Sequence, residues 1–392
     1  MKKKILVIHN GYPLSGEGGD KIRTLNMLHS LNSIGFDVYL LAFFKKDFSF
    51  VRANKMSIQN VKSYFIYSLP DRWGLGGIAA WFRAVITWCV VKLNYIELIQ
   101  LETSFSASCI RFLKKDILVV TDFHADPVPE LQMTGAAKSS INRAKKDVCY
   151  ALARSQQIVA VSDNLVHNLK DYYAYNCPVS VLPCSFNDKK FRIDSSETVS
   201  LREKMHLKDR IVLCYLGGLQ KWQCLEETLD IFIRLKEIDN RYFLCIYTND
   251  DLGPFAEKLK LIEDDFLCLS LQHTQVPLYL SIIDAGFVLR HNSLVNINAS
   301  PTKIAEYMAV GAMVIATKYS GDAQFLVKAS GYGMILDEIE NISNQMIEEL
   351  NMKIHFYKEN KINASASIKE CILKNRLWSA NELKLRKLYS DM

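Results

Sequence analysis

Residues 296–322 read NINASPTKIAEYMAVGAMVIATKYSGD. Ser300 has the chemistry of an N-cap, Pro301 suits a first helical position, and Thr302 and Lys303 follow in the first turn. Unpaired N–H groups and the helix dipole favour an anion at such a start. The pattern predicts a helix over 301–310 that runs into the strand-like AMVIAT. Glu306 falls one to two turns in, within reach of sugar hydroxyls beside a bound diphosphate. A well-capped helix with a solvated glutamate would look the same from its cap alone.

Outward from this stretch, apolar runs alternate with amphipathic helical segments along the whole chain. On the N-terminal side lie RIVLCYLGG, the helix ETLDIFIRLKEI, YFLCIYTND and AGFVLRH; earlier still come KKILVIHNG, the helix IRTLNMLHSLNSIG and FDVYLLAFF, then IELIQLE, DILVVTDFH and SQQIVAVSD. Strand, helix, strand in that order means parallel sheets with crossover helices. At 392 residues two such domains are expected. The reading is α/β: a Rossmann-like domain over 1–185, a polar linker over 186–205 with the turn-forming Asn187-Asp188, a second doubly wound domain over 206–375, and a last helix, 376–392, packing back on the first domain. Ligands in such sheets bind beyond the carboxyl ends of the strands, so two sheets facing each other are expected to enclose a cleft.

Composition narrows the function classes. Apolar residues are 49% and charged residues 23%, ordinary values for a globular chain. Ten cysteines, among them Cys89, Cys109, Cys149, Cys214 and Cys268, show no CxxC pair or metal-ligand spacing and read as reduced core residues of a cytosolic protein. Residues 1–190 hold about 24 Lys/Arg against about 15 Asp/Glu, and the remainder about 24 against about 27, so the net +6 is concentrated in the first half. That half should meet something anionic, such as a lipid-linked acceptor or the membrane surface that carries it; a solvated basic face is the alternative. The apolar stretch 77–91, GIAAWFRAVITWCVV, is too short to span a bilayer and carries Arg83, so it reads as a buried helix ahead of shallow membrane contact. No nucleic-acid partner is expected. The turn HNGYPLSGEGGDKIR brings Gly11, Gly16, Gly18 and Gly19 before a helix, where backbone N–H groups can approach a phosphate. It lacks the GxGxxG register of a dinucleotide site, which weakens an oxidoreductase reading, and the chain shows neither a nucleophile elbow nor a GKS/T loop. Asp250-Asp251 and Asp264-Asp265 read as solvated loop acids rather than a metal-bridging pair, so no metal is expected.

SPTKIAEYMAVGAMVIAT resembles the nucleotide-sugar motif of glycosyltransferase family 4 and its relatives in bacterial polysaccharide synthesis. TDFHADPVPE at 121–130, LPCSFNDKKF, YLGGLQKWQ at 215–223 and Trp378 fall in the family's order, so the resemblance spans nearly the whole chain. It implies the GT-B architecture, two Rossmann-like domains facing across a cleft. In that family Glu306 would hold the donor ribose, and Ser300, Pro301, Thr302 and Lys303 the diphosphate, with Gly18 and Gly19 in the glycine loop. His124 would line the donor-sugar site, and Lys221 would neutralise the leaving group in place of a metal. The match departs at Asn298, where the family commonly has an acid; at Gly218, where it often has Arg; and at Lys221, offset so that Gln223 competes for its place. Arg290 is a substitute cation. The resemblance implies a retaining transferase for a nucleotide sugar, UDP-linked, acting without cofactor or metal on a saccharide or polyprenyl-linked acceptor for capsule or O-antigen, in the cytoplasm or peripherally on the membrane's inner face. A same-fold nucleotide-sugar epimerase and a catalytically silent saccharide-binding protein are the rivals.

Overall fold

Seven apolar runs of the first half become parallel strands: β1 (Lys4–Asn10), β2 (Asp37–Phe44), β3 (Val61–Tyr67), β4 (Leu98–Glu102), β5 (Leu118–Phe123), β6 (Gln157–Ala160) and β7 (Val179–Val181). A computed structural model describes residues 2–10, 19–44, 58–68, 76–390 and 392. The sheet order is β3-β2-β1-β4-β5-β6-β7. Ile5, Leu6, Val7 and Ile8 of β1 are fully buried, as expected for a central parallel strand covered on both faces. The helices that matter below are α1 (Gly19–Ser33), α2 (Gly76–Asn94) and α3 (Lys138–Arg154).

The second half repeats the plan with β8 (Ile211–Leu216), β9 (Tyr242–Tyr247), β10 (Phe266–Leu269), β11 (Ala285–Val288), β12 (Met313–Thr317) and β13 (Met334–Leu336), ordered β10-β9-β8-β11-β12-β13. Its helices include α4 (Ser195–Lys204), α5 (Leu225–Ile238), α6 (Thr302–Ala309) and α7 (Lys361–Arg376), and α8 (Trp378–Ser390) ends the chain. Contacts divide the chain into one unit of Met1–Pro183 with Ala380–Met392 and a second of Cys184–Ser379. Leu385, Leu388 and Tyr389 of α8 join the core of the first unit.

The segment 186–205, expected as a linker, is folded into the second unit. Asn187 caps a short turn, and Asp194 with Glu197 forms a capping box that starts α4. The Arg202 guanidinium then donates to the carbonyls of Leu207 (2.9 Å), Arg210 (2.7 Å) and Ile282 (2.5 Å). A polar composition separates this segment from strands but not from a capped helix. Residues 376–379, expected with the last helix, also stay in the second unit, because Phe186 N–H donates to Arg376 O and Trp378 N–H to Phe186 O.

Two further expectations change. Cys149 and Cys268, read as core, are exposed. The 77–91 stretch lies within α2 and is buried on one face only: Ala79, Ala84 and Val91 face inward with Arg83, which donates to Ser68 Oγ at 3.2 Å, while Trp81 and Trp88 are exposed. An apolar run reports burial only where a neighbour exists to bury it.

Candidate functional site

In the second unit the strand order reverses between β8 and β11, so the loops that follow these two strands leave in opposite directions and open a crevice. The loop after β8 passes Gly217 at φ +133°, makes a short turn at Lys221–Gln223, and enters α5 through Cys224 in the left-handed region at φ 56°. The loop after β11 carries Arg290. Lys303 and Glu306 come from the first two turns of α6.

Lys303 and Arg290 are both buried here. Lys303 Nζ donates to Gln223 Oε1 at 2.7 Å and stands 5.3 Å from the Tyr215 ring centroid. It lies so close to Gly217 that a Cβ there would be 3.2 Å from Nζ. The Arg290 guanidinium donates to the Trp222 and Leu289 carbonyls, both at 3.0 Å, and its backbone N–H donates to Thr317 Oγ1. Among the described residues neither cation has a carboxylate at ion-pair distance. Burial, and then the charge of Arg290, push the Lys303 pKa well below that of a free lysine. Burial lowers Arg290 as well. Burial raises the Glu306 carboxyl to about 7 against the opposing pull of Lys303 and then Lys190.

The other end of the same strand shows how this unit treats a charge held for structure. Asp284, just before β11, is fully buried and meets Lys358 at 2.7 Å, Lys361 at 2.5 Å and the Val212 N–H at 2.9 Å. Against the penalty of burial, these cations hold its pKa near 2. At the amino end of β11 the one buried acid is fully matched by cations, whereas at the carboxyl end two buried cations are left short of negative charge among the described residues. A desolvated anion entering that end would find charge-assisted donors already in place.

Ser300 is not the cap of α6. Its Oγ accepts from Cys184 N–H (3.0 Å) and Arg376 Nη1 (2.5 Å), and the helix opens at Thr302 behind Pro301 with no side-chain cap. Ser300 is consumed by Arg376 at the end of α7 and by the Cys184 backbone N–H, which local cap statistics cannot register. The first N–H groups of α6 thereby remain open to an anion. Pro301 and Thr302 are half-buried. Asn298 is buried and closes the single turn Leu294–Ile297, its N–H donating to Leu294 O at 3.0 Å. Lys221 is exposed, and Gln223 is the residue of that loop that meets Lys303.

In the first unit, His124 follows β5. Its Nε2 is 3.2 Å from Asp122 Oδ2 and 3.3 Å from Glu102 Oε2 at the carboxyl end of β4. Burial alone would lower the imidazole pKa, but the two carboxylates override it and raise it to about 10. The ring is therefore a cation at neutral pH, with Nδ1 buried and, among the described residues, without a hydrogen-bond partner. Arg23 of α1 grips Asp122 through Nε (2.8 Å) and Nη2 (2.9 Å), while Thr24 and Gln100 donate to Glu102. Sequence reasoning missed Arg23 and Glu102. Arg23, the one arginine in the otherwise apolar-faced IRTLNMLHSL, was the available signal. Gly18 lies outside the described residues with Gly11 and Gly16; Gly19 opens α1.

Among the described residues, Glu102/Asp122/His124 and Cys224/Glu227/His291 gather potential ligand atoms within 4.8 Å. In both, hydrogen bonding already engages the histidine, since His291 meets Glu227 and Glu340 at 2.7 Å each. Of the acid pairs, Asp250 accepts from Leu219 N–H and Asp251 from Gly253 N–H, and Asp265 is paired with Lys236 at 2.8 Å rather than solvated.

Two parallel-sheet α/β units, the second with a cationic crevice at its strand-order reversal, give the chain the GT-B fold. No protein-family model matches the chain. It is 20% identical, over 100% of both chains, to an uncharacterized glycosyltransferase of Methanocaldococcus jannaschii. Among solved structures it is similar to Anabaena HepE in complex with UDP and glucose (TM-score 0.75, 14% identity, 100% of each chain) and to sucrose-phosphate synthase of Thermosynechococcus elongatus (TM-score 0.77, 15% identity, 99% of each). It is similar also to WaaG, a glycosyltransferase involved in lipopolysaccharide biosynthesis (TM-score 0.72, 12% identity, 98% of this chain and 99% of that one).

Proposed function

We propose that the chain transfers a sugar from a UDP-sugar to a hydroxyl of a saccharide or polyprenyl-linked saccharide in surface polysaccharide synthesis, with retention of anomeric configuration and without a metal. The observation that carries the proposal is the pair of buried cations, Lys303 and Arg290, which among the described residues lack a carboxylate, beside the uncapped start of α6. In the reaction the bond from the anomeric carbon to the diphosphate breaks, a bond to the acceptor oxygen forms, and the acceptor's proton leaves with the products. Charge grows on the departing diphosphate, and Lys303, Arg290 and the α6 N–H groups stabilise it. Glu306 accepts from the ribose hydroxyls.

HepE structures that hold UDP, UDP-glucose, and UDP with glucose support the choice of uridine. The lipopolysaccharide role of WaaG supports a surface-glycan acceptor. Ten cysteines, none of them in a disulfide, suit a reducing cytoplasm, with the protein working at the inner membrane face.

The test is incubation with radiolabelled UDP-sugars and polyprenyl-linked or soluble saccharide acceptors. Label should move to the acceptor only when both are present, and NMR of the product should show the donor's anomeric configuration. Epimerised donor without transfer, or no UDP-induced rise in melting temperature, would sink the reading.

A further inference from the structure

Helix α2 presents Ile78, Trp81, Val85 and Trp88 along one stripe, at the 3- and 4-residue steps that align side chains on a helix. This stripe faces outward: Trp81 is 56% and Trp88 43% exposed, and Ile78 is exposed beside them. Phe112, also exposed, stacks edge-on against Trp81 at 6.5 Å between centroids. Large aromatics gathered on a solvent face are costly unless something covers them. The helix is long and apolar enough to cross a bilayer. Its opposite face, however, belongs to the core of the first unit through Ala79, Ala84, Thr87 and Val91. It is therefore built to lie on a surface rather than to span one.

The surroundings select which surface. α2 carries no acid. Phe112 is flanked by exposed Arg111, Lys114 and Lys115, against one exposed acid, Asp116. Both α2 and α3 pack on the Ser104–Ile110 segment, and the Arg143 guanidinium of α3 fills the space beside Gly76 at the start of α2. α3 adds exposed Lys138, Lys145 and Lys146 against Asp147.

We infer that α2, with the basic rim from 111–115 and α3, is the face by which the first unit docks on an anionic lipid bilayer, the indoles seated at the headgroup level and the lysines over the phosphates. Trp at an interface satisfies both its apolar ring and its N–H, and each basic residue near an anionic surface adds attraction that salt screens. The inference deepens the proposed lipid-linked acceptor, yet it stands on the first unit alone.

Co-sedimentation of the full chain with phosphatidylglycerol/phosphatidylcholine vesicles, against pure phosphatidylcholine, tests it with no donor present. Binding should require phosphatidylglycerol at low salt and fade as the Debye length shrinks from about 8 Å at physiological ionic strength to about 3 Å at 1 M. The double variant Trp81→Ala/Trp88→Ala should lower partitioning at least about tenfold. Lys114→Glu/Lys115→Glu should lower it at low salt only. All variants should keep the wild-type UDP melting shift, which certifies the fold and reads the donor site separately. Equal partitioning of wild type and tryptophan variant, or no binding of wild type to anionic vesicles, overturns the inference. So does a wild-type dimer in light scattering that the tryptophan variant dissolves, because the face would then belong to a second copy. A wild type that binds vesicles but shows no UDP shift would sink the donor reading and leave the docking face standing.

Discussion

Glu306 is held at a cost to the empty protein. Burial raises its carboxyl from 4.5 to about 7, so the folded state binds its proton more tightly than the unfolded chain, and stability falls as pH rises across that window. At pH 8 the neutral Glu306→Gln should therefore unfold at a higher urea concentration than wild type, by about 1–3 kcal/mol, with the difference gone below pH 4.5. The same variant should bind UDP more weakly by about 1.5–3 kcal/mol in calorimetry, because a charge-assisted bond to ribose is lost. Opposite signs in the two measurements separate a ligand contact from a structural one; equal UDP affinity would remove Glu306 from the site. Lys303→Met should narrow the preference for UDP over uridine while leaving uridine binding nearly unchanged, with Arg290 and the α6 N–H groups supplying what remains. His124 has a linkage of the same sign, in a higher pH window. Its folded pKa is raised, so its contribution is complete below 6.5 and is lost as pH rises through about 10. Wild type should lose urea resistance between pH 7 and 10, and His124→Gln should show a flatter profile.

At the scale of elements, the site depends on how helices are fixed to strand ends. Arg23 of α1 holds Asp122 at the end of β5 with both partners buried. Arg23→Met leaves that carboxylate buried and half-paired, and should cost about 3–5 kcal/mol in chemical denaturation. UDP affinity should be preserved, because the nucleotide site is proposed in the other unit. In the second unit, α6 is fixed to β11 by the close passage of Tyr307 over Gly286, where any Cβ would run into the ring. Gly286→Ala should destabilise by about 1–3 kcal/mol through overpacking. It should weaken UDP binding as well, since Lys303 and Glu306 travel with α6. A destabilised variant with unaltered UDP affinity would show that the helix can shift without moving the site.

For the molecule as a whole, the proposal places cations of the chain where a divalent metal would otherwise meet the diphosphate. EDTA should leave the initial transfer rate intact; loss that magnesium or manganese restores would transfer the role to a metal at one of the two ligand clusters. Saturating UDP at about 100 Kd should stabilise the binding unit by about 2.7 kcal/mol. Because the two units have separate cores, that increase should appear in one unfolding transition if calorimetry resolves two.

The sequence by itself determined the parallel α/β architecture, because strand and helix periods are local and alternate through the runs that form β1, β2, β4, β5, β6, β8, β9, β11 and β12; the shorter or more polar β3, β7, β10 and β13 were not legible. Lys303, Glu306 and Arg290 stood out as candidates because a helix start and a cation at a strand end are readable within a few residues, and His124 did so through the family resemblance. Only the tertiary structure decided what those residues meet. Ser300 looked like a cap and is bound by Arg376, 76 positions away. Lys221 looked like the loop's cation, yet Gln223 reaches Lys303, 80 positions on. The segment 186–205 looked like a linker and is anchored by Arg202 to carbonyls beyond it. The α2 stripe looked buried and faces out. Capping, pairing and burial each require a partner, and a sequence window contains the group that seeks the partner but not the distant backbone or side chain that supplies it.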